Sequence, residues 1–99
     1  MLVHVVLFWL RDDLSTEEHA QFVEGLKSLE DISAAENVFV GTPAATPERP
    51  VIDTSYDYCL TVILRDMAAH DAYQADPLHQ NFLDLFRPFF KAVKIYDAD

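Results

Sequence analysis

The sequence predicts an α+β fold in which helices cover one face of a small antiparallel sheet. Hydrophobic and turn-forming patterns give the order β-α-β-loop-β-α-α-β over 99 residues, without an internal repeat or linker. Two βαβ-like halves of this length are typical of a ferredoxin-like split βαβ. The first strand is apolar on both alternating faces, so a second layer has to cover the sheet. We therefore expect one domain over residues 1–99 that forms a homodimer, in which the sheets of two copies pack against each other as a barrel.

The composition excludes several classes of protein. Hydrophobic residues make up 51% of the chain, which contains only 2 glycines, and a disordered protein is less apolar. Seven basic residues against seventeen acidic ones give a net charge of −10, so we expect no binding to nucleic acid or to a membrane surface. One cysteine permits no internal disulfide. The apolar opening is too short for a membrane span and unlike a signal peptide, so we expect a cytoplasmic location.

The first predicted strand, Leu2–Leu10, is rich in β-branched and aromatic residues. Its two faces are Val3, Val5, Leu7, Trp9 and His4, Val6, Phe8, Leu10. Burying four such side chains contributes roughly 6–10 kcal/mol, at about 1.5–3 kcal/mol each. This contribution is comparable with the net stability of a folded domain, about 5–15 kcal/mol, so we expect neither face to remain exposed to solvent. We expect the helices to cover one face and a second copy to cover the face that carries His4.

A helix is predicted next, over residues 15–30. Ser15 and Glu18 have the spacing of a capping box. An apolar stripe follows at helical spacing, formed by Phe22, Val23, Leu26 and Leu29. Residues 37–41 then predict a short strand, and three prolines within residues 42–55 predict a long loop.

The second half of the chain begins with an alternating strand over residues 56–65. Asp66 is placed to cap a short helix that runs through His70 to Tyr73, and Asp76-Pro77 has the N-cap and N1 pattern of a second helix. Residues 93–97 predict the closing strand.

Few residues suggest chemistry. His19 and His70 are expected to be surface side chains, and Cys59 a small buried one. His4 lies inside a strand, where a polar ring needs a partner. His79 lies in the first turn of its helix, where the helix dipole favours the neutral imidazole that a general base requires. Tyr73 precedes His79 by six residues, and the intervening turn can bring the two rings together.

The sequence contains no metal-ligand spacing, glycine-rich phosphate loop or nucleophile elbow. We therefore expect no metal and no other cofactor. A small apolar or phenolic ligand is the expected partner besides the second copy.

Four segments together resemble the stress-responsive A/B barrel (Dabb) family, a member of the dimeric α+β barrel superfamily. They are Val3–Phe8, Tyr56–Tyr58, Tyr73–Phe82 and Val93–Asp97. The resemblance spans essentially the whole chain, and its most specific part is Tyr-x5-His with Pro two residues before the His. It implies a ferredoxin-like dimeric barrel, in agreement with the argument from the two-faced strand.

One branch of this family comprises plant polyketide cyclases that close an aromatic ring by aldol condensation without a cofactor. The resemblance implies that His79, Tyr73 and His4 are the catalytic residues of such an enzyme. The aromatic residues expected to contact the substrate are Phe8, Tyr58, Phe82 and Phe86. The chain departs from the branch at Tyr58, where a cyclase carries histidine, and at Asp76, where His-Pro is common in the family.

Two functional hypotheses follow. In the first, the cavity between sheet and helices binds an apolar small molecule, and the chain is a cyclase-like or lyase-like enzyme that needs no cofactor. In the second, the dimer binds a ligand or has a role in stress without catalysis, or it is a cofactor-independent monooxygenase of the same fold. They differ in whether His79, Tyr73 and His4 converge on one cavity.

Overall fold

The computed structural model describes residues 1–99. Four strands and three helices follow one another in the predicted order. They are β1 Leu2–Leu10, α1 Thr16–Ser28, β2 Ala35–Gly41, β3 Tyr58–Leu64, α2 Met67–Ala75, α3 Pro77–Phe86 and β4 Phe90–Ala98. Short 3₁₀ turns, Leu29–Asp31 and Arg87–Phe89, follow α1 and α3. Ser15 and Glu18 form the predicted capping box of α1, and Asp66 and Asp76 cap α2 and α3.

The four strands form one antiparallel sheet in the order β2-β3-β1-β4. This is the ferredoxin-like α+β fold that the sequence predicts. Because β1 and β4 are neighbours, the two ends of the chain lie side by side, and His4 is directly opposite Asp97. The pairing of β1 with β3 places Val62 on the other side of His4.

Several predicted boundaries differ from the structure by a few residues. The α1 helix ends at Ser28 because the chain tightens into a 3₁₀ turn. The β3 strand starts at Tyr58 rather than at residue 56, since the Asp57 carboxylate accepts the backbone N–H of Leu10 at 2.7 Å and closes the sheet there. The β4 strand begins at Phe90, earlier than predicted. Residues 42–57 contain no helix or strand, as the prolines predicted.

The prediction of which sheet face the helices cover is wrong. The helix-covered face includes His4, Val6, Phe8, Leu60 and Val62, which are all buried. The apolar side chains among them form one core with Phe22, Leu26 and Phe82 of the helices. An apolar alternation specifies that a face is buried but not which layer buries it, so the sequence could not separate the two faces.

The opposite face, here named the open face, carries the remaining residues of β1 and their neighbours on β3 and β4. Its members include Val3, Val5, Leu7, Trp9, Cys59, Thr61, Ile63 and Tyr96. No helix packs on it, and Tyr96 is 56% exposed. Cys59, predicted to be buried, is therefore half-buried on this face. None of the three helices has the length and apolar composition to cross a membrane.

Candidate active site

A cavity of about 150 Å³ lies between the helix-covered face and α3. Its lining is mostly apolar and includes Val6, Phe8, Leu29, Leu60, Phe82, Leu83 and Phe90. The polar lining residues are His4, Gln74 and His79. Val93 and Ile95 of β4 complete the wall, and because they are 41% and 50% exposed the cavity opens along this edge strand.

His79 reaches the cavity from the first turn of α3. Asp76 caps this helix by accepting the backbone N–H of Leu78 at 2.9 Å, and Pro77 starts it. Burial lowers the pKa of His79, the nearby His4 lowers it further, and only Asp76 acts in the opposite direction. The ring is therefore neutral near pH 7, although desolvation rather than the helix dipole is the main cause.

His4 is held from the opposite wall. Its ring is buried in mid-sheet, and its Nδ1 lies 2.5 Å from Oδ1 of Asp97 on the neighbouring strand. This contact supplies the polar partner that a buried imidazole needs. With Nδ1–H donating to the carboxylate, Nε2 is the ring nitrogen left to accept a hydrogen bond.

Tyr73 of α2 packs against both histidines. Its ring centroid is 5.0 Å from that of His79 and 5.8 Å from that of His4, both in edge-to-face arrangements. The residue is completely buried and does not line the cavity. Burial strongly raises the pKa of its hydroxyl, which therefore stays protonated.

Two buried polar atoms in this cluster have no hydrogen-bond partner within the chain: Oη of Tyr73 and Nδ1 of His79. Orphaned buried polar atoms are rare in folded proteins and are concentrated at functional sites. A hydroxyl and an imidazole nitrogen are complementary, and they belong to rings in contact with each other.

The predicted substrate-binding residues separate into two pairs. Phe8 and Phe82 line the cavity. Tyr58 and Phe86 do not: the Tyr58 hydroxyl pairs with Nδ1 of His19 at 2.8 Å, and Phe86 packs against Gly25 of α1. His19, expected on the surface, is half-buried through this contact.

His70 and Asp97 are the residues that sequence reasoning missed. The side chain of His70 is only 15% exposed, and its Nε2 lies 3.8 Å from Oδ2 of Asp97. The ring also packs edge-to-face against His4 at 5.4 Å. Asp97 meets His4 only through the pairing of β1 with β4, and His70 joins them only through the packing of α2, so no local sequence signal connects the three residues.

Comparison with known proteins identifies the family. Residues 2–99 match the Stress Responsive A/B Barrel Domain, Dabb. The chain belongs to this family. None of the curated proteins matches it significantly. The match confirms the family that the four segments suggested, and it extends over nearly the whole chain.

The solved structures that are similar to this Dabb protein include the following three. A dimeric ferredoxin-like protein of unknown function from Thermobifida fusca has a TM-score of 0.79 at 20% identity, covering 98% of this chain and 88% of that one. Hydroxynitrile lyase from Passiflora edulis has a TM-score of 0.82 at 16% identity, covering 98% and 90%. An antibiotic biosynthesis monooxygenase has a TM-score of 0.74 at 11% identity, covering 100% and 97%. At these identities the likeness establishes the fold alone.

Proposed function

We propose that this protein is a cofactor-independent enzyme that forms or cleaves a carbon–carbon bond beside the carbonyl group of a small apolar substrate. The observation that carries the proposal is the convergence of two histidines on one apolar cavity, with Tyr73 packed against both rings. A mostly apolar pocket with a few convergent polar groups is the usual form of a small-molecule site.

His79 is the proposed general base. A neutral imidazole at the cavity wall can remove a proton from the carbon next to a carbonyl, and its lowered pKa keeps it neutral at physiological pH. The resulting enolate attacks a second carbonyl carbon, and the new alkoxide takes the proton back from His79. The step consumes no net proton and no oxidant, so the chain's own side chains can carry it. The reverse sequence is a lyase reaction.

Tyr73 is the proposed positioning residue. When the ligand is bound, its hydroxyl accepts a hydrogen bond from Nδ1–H of His79, which pairs the two orphaned atoms and leaves the lone pair of Nε2 for the substrate. His4, fixed by Asp97, presents a second nitrogen on the opposite wall. Its Nε2 is the proposed acceptor for the hydroxyl group that the alkoxide becomes once it is protonated.

The cavity size limits the substrate. A volume of about 150 Å³ holds roughly one six-membered ring. A longer polyketide-like molecule has to extend out of the cavity past Val93 and Ile95 of the edge strand β4. Compact aryl or alkyl carbonyl compounds are therefore the first substrates to test, and the fold similarity to a hydroxynitrile lyase makes aromatic cyanohydrins part of that panel.

The proposal is tested by following carbonyl formation or consumption with this panel, using the wild type, His79→Ala and His19→Ala. His19 is a matched control, because it is a half-buried histidine outside the cavity. Turnover by the wild type and the control, but not by His79→Ala, supports the proposal. Equal turnover by all three refutes the assignment of His79.

The same cavity favours a second candidate, non-catalytic ligand binding, because nine of its twelve lining residues are apolar. Binding of a single-ring phenol without turnover of any carbonyl compound, and with affinity that His79→Ala leaves within a few-fold, would support this candidate instead.

We also propose that the protein is a homodimer assembled through the open face, and that it is cytoplasmic. The apolar residues of this face support dimerisation, as does the dimeric ferredoxin-like neighbour. Light scattering at micromolar concentration tests the assembly. A mass of twice 11.3 kDa is expected, and a mass of 11.3 kDa would refute it.

A further inference from the structure

We propose that His4, His70 and Asp97 form a binding site for a divalent transition-metal ion, with zinc as the best-matched ion. The three residues come from β1, α2 and β4, and one ligand atom from each lies within 4.8 Å of the other two. Two imidazoles and a carboxylate are a ligand set that suits Zn²⁺ and related ions of borderline softness.

The distances fit a tetrahedral ion after a small movement. Ligand bonds of about 2.0–2.1 Å place neighbouring ligand atoms roughly 3.4 Å apart around tetrahedral zinc. The observed separations from the Asp97 carboxylate lie on either side of that value, at 2.5 Å from Oδ1 to Nδ1 of His4 and 3.8 Å from Oδ2 to Nε2 of His70, so one of the two oxygens has to turn between the rings. Asp97 is the residue able to adjust, because its side chain is 40% exposed on an edge strand, whereas His4 is 2% exposed.

The surroundings of His70 give an independent reason. Its Nδ1 lies 3.2 Å from Oδ1 of Asp71, a contact in which Nδ1–H donates to the carboxylate, and its Nε2 lies 3.8 Å from Oδ2 of Asp97. In the tautomer that carries its proton on Nδ1, a cation between Nε2 and the Asp97 carboxylate would supply the positive partner that both atoms lack. A metal-bound histidine almost always donates its other N–H to a carboxylate or carbonyl in this way.

Metal binding would also change His4. Coordination through Nδ1 removes the hydrogen bond to Asp97 and places the ring proton on Nε2, which turns an acceptor into a donor. If the proposed function is correct, zinc would alter the group that faces the reacting oxygen. Zinc binding itself does not depend on that function and is measured without turnover.

The experiment titrates chelator-treated, dialysed protein with Zn²⁺ in competition with a chromophoric chelator. The variants are His70→Ala and Asp97→Asn, which each remove one ligand, and Asp71→Asn, which removes only the outer carboxylate. His19→Ala and Asp12→Asn are the controls, because both residues lie outside the cluster. Circular dichroism establishes that each variant is folded before it is titrated.

We expect the wild type and both controls to bind one Zn²⁺ per chain. His70→Ala and Asp97→Asn should lose that binding, and Asp71→Asn should weaken it by about 10- to 100-fold. X-ray absorption of the wild-type complex should show two imidazole ligands. Absence of binding to the wild type at micromolar Zn²⁺ would overturn the proposal, as would ligand variants that bind as tightly as the controls.

Discussion

On β1 the helix-covered face presents His4, Val6 and Phe8, and the open face presents Val3, Val5 and Leu7. The two sets are almost equally apolar, yet only the first is buried within one chain. The first set also contributes to the cavity, whereas the second has no titratable group on β1. Successive side chains of a strand point to opposite sides of the sheet. One strand can therefore line a cavity on one side and contribute to a second apolar surface on the other.

The largest expected effect comes from placing a charge on the helix-covered face. Val62→Asp should unfold the protein, since Val62 is 0% exposed and an unpaired buried carboxylate costs several kcal/mol. That cost is comparable with a total stability of about 5–15 kcal/mol. Urea denaturation followed by circular dichroism measures the loss. A folded Val62→Asp variant that is merely monomeric would contradict the assignment of the faces.

The matched substitution on the open face is Val5→Asp. It should leave each chain folded and raise the dissociation constant of the dimer by at least about 10³-fold, because two carboxylates would be buried across the interface. Sedimentation or light scattering across protein concentrations measures this change. If Val5→Asp unfolds the chain as readily as Val62→Asp, the two faces do not have separate roles.

His79→Ala should lower kcat by roughly 10²–10⁴-fold on an identified substrate, which is the usual contribution of a general base. The dimer should persist, because His79 lies on the side of the sheet away from the open face. Steady-state kinetics and light scattering on the same sample give both values.

The pH dependence provides a control for this assignment. Because burial lowers the pKa of His79, the wild-type kcat/KM should fall only below the ordinary histidine pKa of about 6.5 as the pH decreases. This acid limb should be absent from the residual activity of His79→Ala. An unchanged acid limb in the variant would assign the limb to another group.

The smallest expected effect is that of Tyr73→Phe, which keeps the ring contacts and removes one unpaired hydroxyl. The free energy of unfolding should rise by about 1 kcal/mol, since a buried hydroxyl without a partner is costly. At the same time kcat should fall by roughly 10-fold with little change in KM, because His79 loses its orienting partner. A rise in stability without a kinetic effect would make Tyr73 a packing residue only.

Much of the fold could be predicted from local sequence signals. The caps at Ser15, Asp66 and Asp76 and the proline-rich loop were confirmed, because these signals act over a few residues. Less of the candidate site could be predicted from the sequence. Tyr73 and His79 are close in the sequence, and the turn between them brings their rings into contact. The positions of Tyr58 and Phe86 depend on how α1 packs, which no local pattern specifies.

The sequence by itself determined which residues are apolar, where the helices begin and that both faces of β1 need cover. Only the tertiary structure decided that the three helices cover the face of His4 and leave the face of Val5 without a helix. It also decided that Asp97 and His70 meet His4. The physical reason is range: capping and alternation act between neighbours in the chain, whereas the register of β4 against β1 joins residues at its two ends.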